Sequence, residues 1–449
     1  MREEAPKGLL RQPRLPGPTI VSPPLDPSPK PVPLRTQLAG AFGNILEWYD
    51  FAVFGFLAPV MSPLFFPASD PVAGLLKTYG IFAAGYFMRP LGGVVLGWIG
   101  DRLGRRRSLQ ISIFLMAVPT VLVGILPTHA TLGAGAALLL ILLRLVQGVS
   151  VGGELIGSAA YLVETAPPER RGLTGSLSVS GAVGGILLGS LVVTVLTALL
   201  PETALSAWGW RVPFLCGALI FGAGFWLRRH MPETEAFEST RKEGGIRYNP
   251  VADVLRHHLP QVLHLVLILL LFASSFYTLF VWMPAYLEDF VEPPVDRALL
   301  VNTVAMVVLV LAIPLMGWLS DRIGRRLVLT LATAGFLLLA YPLFQWIDTG
   351  SLGLVLAAQL IFAIILAAIQ GPMPATMIAM FPPENRLSGV GLAYNLALAL
   401  FGGTSPMVCT WLIAVTGLKT APALYLITLG LITFFALVLA SPREERAQA

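Results

Sequence analysis

The sequence predicts an all-α integral membrane protein with twelve transmembrane helices, arranged as two pseudo-symmetric halves of six helices each. Three observations predict this fold class. The chain is 55% hydrophobic and only 12% charged, whereas soluble domains carry about 25% charged residues. Its apolar residues form continuous segments long enough for a helix to cross about 30 Å of hydrocarbon. A short motif recurs 220 residues along the chain, which indicates an internal duplication.

The duplication is visible in two pairs of segments. The motif GWIGDRLGRRR at residues 97–107 returns as GWLSDRIGRRL at residues 317–327, and PPERR at 167–171 returns as PPENR at 382–386. The spacing within each half is similar, so the halves align in parallel. Duplicated halves in a membrane are typical of secondary transporters. A transmembrane β-barrel is disfavoured because it would show short segments of alternating hydrophobicity.

The elements follow in order along the chain. Residues 1–35 contain ten prolines and no apolar period, which predicts a disordered tail without a signal peptide. Residues 36–230 and 261–441 form the two six-helix bundles, joined by a linker at 231–260 and followed by a tail at 442–449. The predicted transmembrane segments are 38–62, 73–99, 109–127, 135–163, 173–200, 211–230, 261–287, 298–320, 327–347, 352–380, 387–416 and 421–440.

The charges in the loops predict the orientation. Basic residues cluster in the loops that hold the repeated motif, whereas the opposite loops are mainly acidic. The positive-inside rule places the motif loops and both termini in the cytoplasm of an inner (plasma) membrane protein. The net charge is +5, but the basic residues cluster in short loops between apolar segments, so we expect no nucleic acid partner. Cys216 and Cys409 lie in apolar stretches, and no histidine or cysteine cluster predicts a metal, cofactor or enzyme site.

Further motifs carry a resemblance to a known family. The motif at 97–107 and RLVQG at 144–148 resemble the signatures of the major facilitator superfamily. The segments GNILEWYDF at 43–51, MRPLGG at 88–93, SVGGE at 150–154 and WGWRVPF at 208–214 resemble its metabolite:proton symporter branch. Members of that branch carry proline and betaine, α-ketoglutarate, citrate or shikimate. The resemblance therefore implies proton-coupled uptake of a small organic solute, without choosing among these.

The sequence differs from some members of this branch in a feature that concerns regulation. The osmosensing proline/betaine members carry a long, charged C-terminal extension that can form a coiled coil. The sequence given ends at Ala449, shortly after its last predicted segment. Osmotic gating by such a tail is therefore not expected, although betaine or proline stays open as the substrate.

Ionisable residues inside the predicted segments are candidates for function because they are costly in hydrocarbon. Asp50, Glu154 and Glu47 are the candidates for proton coupling, since low dielectric favours the protonated form of a carboxylate. Arg89 and Arg144 are candidates to hold a substrate carboxylate by paired hydrogen bonds. The alternative is that each arginine only pairs with a carboxylate to join two helices.

Polar and aromatic residues extend this candidate site. Gln147 and Tyr161 share a polar stripe with Arg144 on segment four, by their three- and four-residue spacing. The second half holds almost no charge within its segments, so its substrate face is predicted to be neutral and aromatic. The candidates there are Tyr277, Trp282, Gln370, Tyr394 and Asn395. Trp282, with Tyr286, has an alternative interpretation as an interfacial anchor.

The repeated motif is predicted to form a cytoplasmic gate. Asp101, Arg102, Arg105 and Glu164 are assigned to the first copy, with Glu164 reaching Arg102 or Arg105. Asp321, Arg322 and Arg325 are assigned to the second copy, where Met380 stands in place of a glutamate. An Asp in this motif can accept from the N-terminus of a following helix. The alternative is that the arginines only enforce topology.

These observations favour a secondary active transporter that works by alternating access. It would carry a proton with a small carboxylate-bearing or zwitterionic metabolite, of the proline/betaine or di- and tricarboxylate type. No enzyme activity or cofactor is expected, and its partners are the solute, protons and the lipid bilayer around a monomer. Two alternatives stay open, a proton-driven exporter of drugs or metabolites and a non-transporting sensor on the same fold.

Overall fold

The computed structural model describes residue 45 and residues 48–67, 70–103, 105–218, 222, 250–382 and 385–439, except for the side chains of 97, 98, 100–103, 105, 106, 108, 109, 154 and 250. Among these described residues, each of the twelve predicted segments contains helix, and we number the helices in chain order. They are α1 (Trp48–Phe56 with Ala58–Phe65), α2 (Pro71–Phe87 with Arg89–Leu103), α3 (Arg105–Ile125), α4 (Ala134–Glu164), α5 (Pro168–Leu199), α6 (from 212, described to 218), α7 (Leu259–Asp289), α8 (Ala298–Ile323), α9 (Arg325–Asp348), α10 (Leu352–Ala379), α11 (Arg386–Thr416) and α12 (Ala421–Leu439). Short helices at His129–Leu132, Glu202–Ala207 and Pro250–His257 lie between them.

The outer surface of this bundle is apolar. In the described part of the chain, eight helices are long and apolar enough to cross a membrane, and the two bent pieces of α1 make a ninth if they form one span. Leu199, Leu338 and Leu439 are each at least 75% exposed. Such a surface would drive aggregation in water, but it matches the hydrocarbon of a bilayer. The predicted fold class is therefore confirmed.

Several helices are interrupted where proline removes a backbone donor. The two pieces of α1 meet at 68°, because Pro59 cannot donate to the carbonyl one turn earlier. Helix α7 has a π-helical turn at Tyr277–Trp282 just before Pro284. The carbonyl of Phe280, four residues before that proline, accepts instead from Asn302 Nδ2 on α8 over 2.9 Å. A neighbouring helix thus satisfies the backbone group that the proline leaves open.

The two halves approach most closely where α5 packs against α8. A Cβ atom on Gly317 of α8 would lie 2.7 Å from the carbonyl oxygen of Gly172 on α5. No larger residue fits either position without moving backbone. This contact puts the second copy of the repeated motif against the first half of the molecule.

Candidate functional site

A buried ion pair lies in the first half. Asp50 on α1 and Arg144 on α4 are 0% and 1% exposed, and Arg144 Nη1 lies 2.7 Å from Asp50 Oδ2. Removing one partner of such a pair leaves a buried charge without compensation, which costs several kcal/mol. The two residues therefore behave as one unit, in which a change of charge on one acts on the other.

Neutral groups hold this pair in place. Gln147 Nε2 donates to Asp50 Oδ2 over 2.9 Å and to Thr120 Oγ1 over 2.8 Å, and Gln147 Oε1 accepts from Arg144 Nη1 over 3.0 Å. The guanidinium carbon of Arg144 lies 3.9 Å from the ring centroid of Phe54. Asp50 Oδ1 has no hydrogen-bond partner. That oxygen can accept a proton without first losing a bond.

A second buried arginine connects the halves. Arg89 on α2 is 1% exposed, and its Nε donates to Asn395 Oδ1 on α11 over 3.3 Å. Asn395 Nδ2 donates in turn to the carbonyl of Gly152 over 2.6 Å. The guanidinium carbon lies 5.1 Å from the ring centroid of Trp48, while Nη1 has no hydrogen-bond partner. Arg89 thus keeps an unused donor at the junction of the halves.

Glycines in the motifs bring α2 and α4 close enough for these contacts. A Cβ atom on Gly148 would lie 2.0 Å from the carbonyl oxygen of Gly85, and one on Gly92 would lie 2.0 Å from that of Val149. Neither distance is compatible with a side chain. The glycines of MRPLGG and RLVQG therefore place Arg89 and Arg144 on adjacent helix faces.

A cavity lies between the halves. Its wall combines residues of α1, α4 and α5 with residues of α7, α10 and α11, and it is mostly apolar and aromatic. The described lining residues carry no charge. They are Trp48, Leu155, Val179, Ala182, Val183, Ile186, Phe272, Ala273, Phe276, Tyr277, Gln370, Tyr394 and Leu398.

The halves are closed against each other on the motif side of this cavity. Asp321 Oδ1 accepts from the Gly172 amide over 2.7 Å, and Oδ2 accepts from the Leu173 amide over 2.8 Å. The carboxylate thus accepts hydrogen bonds from two backbone amides near the N-terminal end of α5, where free amides and the helix dipole favour an anion. Glu164 at the end of α4 pairs with Arg386 at the start of α11 over 2.7 Å. Both contacts join one half to the other.

The halves also meet on the opposite side of the cavity. Ser190 Oγ and Thr194 Oγ1 on α5 lie 2.6 and 3.0 Å from Thr303 Oγ1 on α8. Nearer the centre, the hydroxyls of Tyr86 on α2 and Tyr277 on α7 lie 2.8 Å apart. The halves therefore contact each other on both sides of the cavity.

Family comparisons agree with this architecture. Residues 36–244 match the family described as "Sugar (and other) transporter", and residues 292–449 match the "Major Facilitator Superfamily". The ectoine/proline transporter ProP of Corynebacterium glutamicum is 36% identical over 431 residues, which cover 93% of this chain and 86% of that protein. OusA of Dickeya dadantii, a glycine betaine/proline/ectoine/pipecolic acid transporter, is 33% identical over 403 residues, covering 88% and 80%.

The chain belongs to the major facilitator superfamily. Its fold resembles that of the xylose transporter XylE from E. coli in a partially occluded inward open conformation, with a TM-score of 0.70 and 20% identity over 90% of this chain and 95% of that one. The protein is accordingly a multi-pass membrane transporter and not an enzyme, as the sequence predicts.

Within this facilitator fold, the predicted site residues separate into three groups. Asp50, Arg144 and Gln147 form one network, and Arg89 and Asn395 form another. Tyr277, Gln370 and Tyr394 line the cavity. Thr120 and Phe54 contact the first network, and Trp48 lies under Arg89 and lines the cavity. The sequence did not indicate these three residues, because a single threonine or aromatic residue inside an apolar segment does not predict a site. Their roles in transport stay predictions.

Two predicted contact residues lie elsewhere. Tyr161 is 43% exposed and is not among the described residues that line the cavity. Trp282 is fully buried, and its Nε1 donates to Thr410 Oγ1 over 2.9 Å. Tyr286, also fully buried, donates to the carbonyl of Lys419 over 3.0 Å. Neither aromatic residue is placed as an anchor that faces the membrane interface.

The structure describes only some of the predicted proton-coupling and gate residues. Glu47 and the side chains of Glu154, Asp101, Arg102 and Arg105 lie outside the described part of the structure, and so does the predicted contact of Glu164 with Arg102 or Arg105.

The described partner of Glu164 is Arg386, the last residue of the repeated segment PPENR. In the second copy, Asp321 caps α5, while the guanidinium of Arg322 lies over Trp318 and Arg325 is half-buried at the start of α9.

Proposed function

We propose that this transporter carries a small zwitterion together with a proton into the cell. The relatives named above transport ectoine, proline, glycine betaine or pipecolic acid, and each of these solutes combines a carboxylate with a cationic nitrogen group. The observation that carries the proposal is the buried Asp50–Arg144 pair of the first half, in a molecule whose two halves share a cavity.

The pair supplies a means of coupling. Protonation of Asp50 at its unpartnered Oδ1 removes the negative charge that compensates Arg144. Arg144 then keeps a hydrogen bond to Gln147 and its contact with Phe54, but it loses its counter-ion. A new partner for Arg144, either another carboxylate or the solute, is favoured in that state because unpaired buried charge is costly. Glu154 and Glu47 remain further candidates for the proton.

Alternating access requires the contacts between the halves to open on one side of the cavity at a time. The motif-side contacts of Asp321 and Glu164 must open to release the solute on that side, and the Ser190–Thr303 contacts must open on the other. The basic loops favour a cytoplasmic position for the motif side and for both termini, in a transporter that works as a monomer.

Uptake into proteoliposomes tests the proposal. With acid outside, we expect accumulation of labelled proline, glycine betaine or ectoine, and we expect a protonophore to abolish it. Citrate and α-ketoglutarate serve as anionic comparison solutes. Lack of gradient-driven accumulation of all three zwitterions contradicts the proposal, whereas acid-driven export of a preloaded solute favours the exporter.

The variant Asp50→Asn tests the coupling residue. We expect it to lose gradient-driven accumulation but to keep exchange of solute between the two sides, because an amide cannot carry the proton. Glu169→Gln, on an exposed residue of the same chain, is the control and should behave like the unmodified protein. If both Asp50→Asn and Glu154→Gln kept full gradient-driven uptake, the coupling assignment would be wrong.

A further inference from the structure

The cavity wall contains aromatic rings from both halves. Trp48 comes from the first half, and Phe272, Phe276, Tyr277 and Tyr394 come from the second. Aromatic faces attract cations, and clusters of them bind ammonium groups whose nitrogen is fully alkylated. No described lining residue is acidic. A cationic nitrogen in this cavity would therefore be stabilised by ring faces and not by a described carboxylate.

One polar side chain interrupts this wall. Gln370 on α10 lines the cavity and is 2% exposed, and its Oε1 has no hydrogen-bond partner. A buried acceptor without a donor is unfavourable. A solute with an N–H group can satisfy this oxygen, whereas a quaternary ammonium group offers no donor.

Arg89 supplies the opposite charge beside the same wall. Its guanidinium lies over Trp48, and its hydrogen-bond partner Asn395 follows Tyr394 in the chain. Its Nη1 is buried without a hydrogen-bond partner. A solute with its ammonium group among the rings could direct its carboxylate towards this donor.

From these contacts we infer that the cavity binds the ammonium group of the solute in an aromatic cage, and that Gln370 acts as a selector among ammonium groups. The rings of Phe276, Tyr277 and Tyr394 hold the cationic nitrogen, whatever its degree of alkylation. Gln370 Oε1 accepts an N–H from primary to tertiary ammonium groups and so favours them over quaternary ones. This inference rests on the proposed function and deepens it, because it separates two kinds of zwitterion within one site.

Three probes with the same ring isolate the contribution of the N–H groups. Proline carries two N–H groups on its cationic nitrogen, N-methylproline carries one, and N,N-dimethylproline carries none. Purified transporter is assayed with each probe in two ways, by the ligand-induced shift of its unfolding temperature in detergent and by acid-driven uptake into proteoliposomes.

The selector is tested with Gln370→Leu. We expect the apparent affinity for proline to fall roughly ten-fold, from the loss of one hydrogen bond to a charged donor, while that for N,N-dimethylproline stays unchanged. Gln359→Leu is the matched control on the same helix, because Gln359 is also fully buried with an unpartnered Oε1 but does not line the cavity. It should change the affinities for the three probes equally or not at all.

The cage is tested with Phe276→Leu. Loss of a ring face should weaken binding of N,N-dimethylproline roughly five-fold, and Phe276→Tyr should retain it. Phe280→Leu is the control, because Phe280 is a buried ring on α7 that stacks on Phe276 at 5.8 Å but is not a lining residue. Equal loss of binding in both leucine variants overturns the cage.

The two assays distinguish failure of the inference from failure of the proposed function. If acid-driven uptake is normal and Gln370→Leu weakens all three probes equally or none, the selector is wrong and the proposed function stands. If the probes bind with Gln370-dependent discrimination but do not accumulate, coupled uptake is wrong and the cage stands. If none of the probes binds the unmodified protein, the cage is wrong.

Discussion

The two halves share a duplicated fold but place different chemistry at their centres. The first half buries an ion pair, Asp50–Arg144, within its own helices. The centre of the second half presents neutral groups, with Gln370, Tyr277 and Asn395 at the cavity or the junction. The duplication therefore fixes the scaffold, while divergence assigns charge to one half and a neutral, aromatic surface to the other.

This difference suggests a division of labour. A buried ion pair responds strongly to a proton, because the charge of one partner controls the stability of the other. Neutral and aromatic groups can contact a solute without binding it too tightly to release. Arg89 and Asn395 connect the two regions through a hydrogen bond between the halves, so movement of one half relative to the other must alter this contact.

The largest expected effect comes from removing one charge of the pair. Arg144→Leu should lower the free energy of unfolding by about 3–5 kcal/mol, since it leaves Asp50 buried without compensation. Asn302→Leu, at a fully buried neutral residue of the second half, should cost only about 1–3 kcal/mol. Thermal unfolding in detergent measures both. Equal losses would contradict the distinction between a charged and a neutral half.

A second, smaller effect concerns the packing that positions the first-half arginines. Gly148→Ala should destabilise the protein by about 1–3 kcal/mol, because its Cβ would meet the Gly85 carbonyl at 2.0 Å. Gly157→Ala on the same helix is the matched control, with no atom within 4 Å of its Cβ. The same unfolding assay compares them, and a Gly148→Ala protein as stable as the control would refute the close contact.

The smallest expected effect is on the contact between the halves. Asp321→Asn should weaken the cap on α5 by about 1 kcal/mol, by removing the charge that interacts with its first turn. A cysteine introduced by Ser180→Cys, on the α5 face that contacts α8, should then react faster with a polar thiol reagent. Glu202→Gln, at an exposed residue just beyond the C-terminal end of α5, serves as the control. An unchanged labelling rate would show that the Asp321 contact does not hold this side closed.

The sequence predicts the fold well because membrane insertion simplifies the problem. Long apolar segments must be helices in hydrocarbon, since no water is available for free backbone groups. The positions of Asp50, Arg89 and Arg144 within those segments marked them as unusual because buried charge is rare. Their partners were harder to predict. Thr120 and Phe54 are ordinary residues of membrane helices, and only their contacts with Gln147 and Arg144 distinguish them.

The repeated motif illustrates the same limit. Its sequence indicates a duplicated loop with an acid able to cap a helix, but it does not identify the helix. The structure places Asp321 of the second copy on α5 of the first half, and Glu164 against Arg386. Each contact joins residues more than 140 positions apart in the chain, and local spacing carries no information on such pairs.

The sequence by itself determined the class, the helices, the duplication and the residues that carry charge into the membrane, because hydropathy and charge act locally along the chain. Only the tertiary structure decided which charges pair, which rings share the cavity and which half closes on which. Those outcomes depend on how closely helices approach. That distance is set by glycines such as Gly148 and Gly317 meeting backbone on another helix, a property of two distant segments packed together.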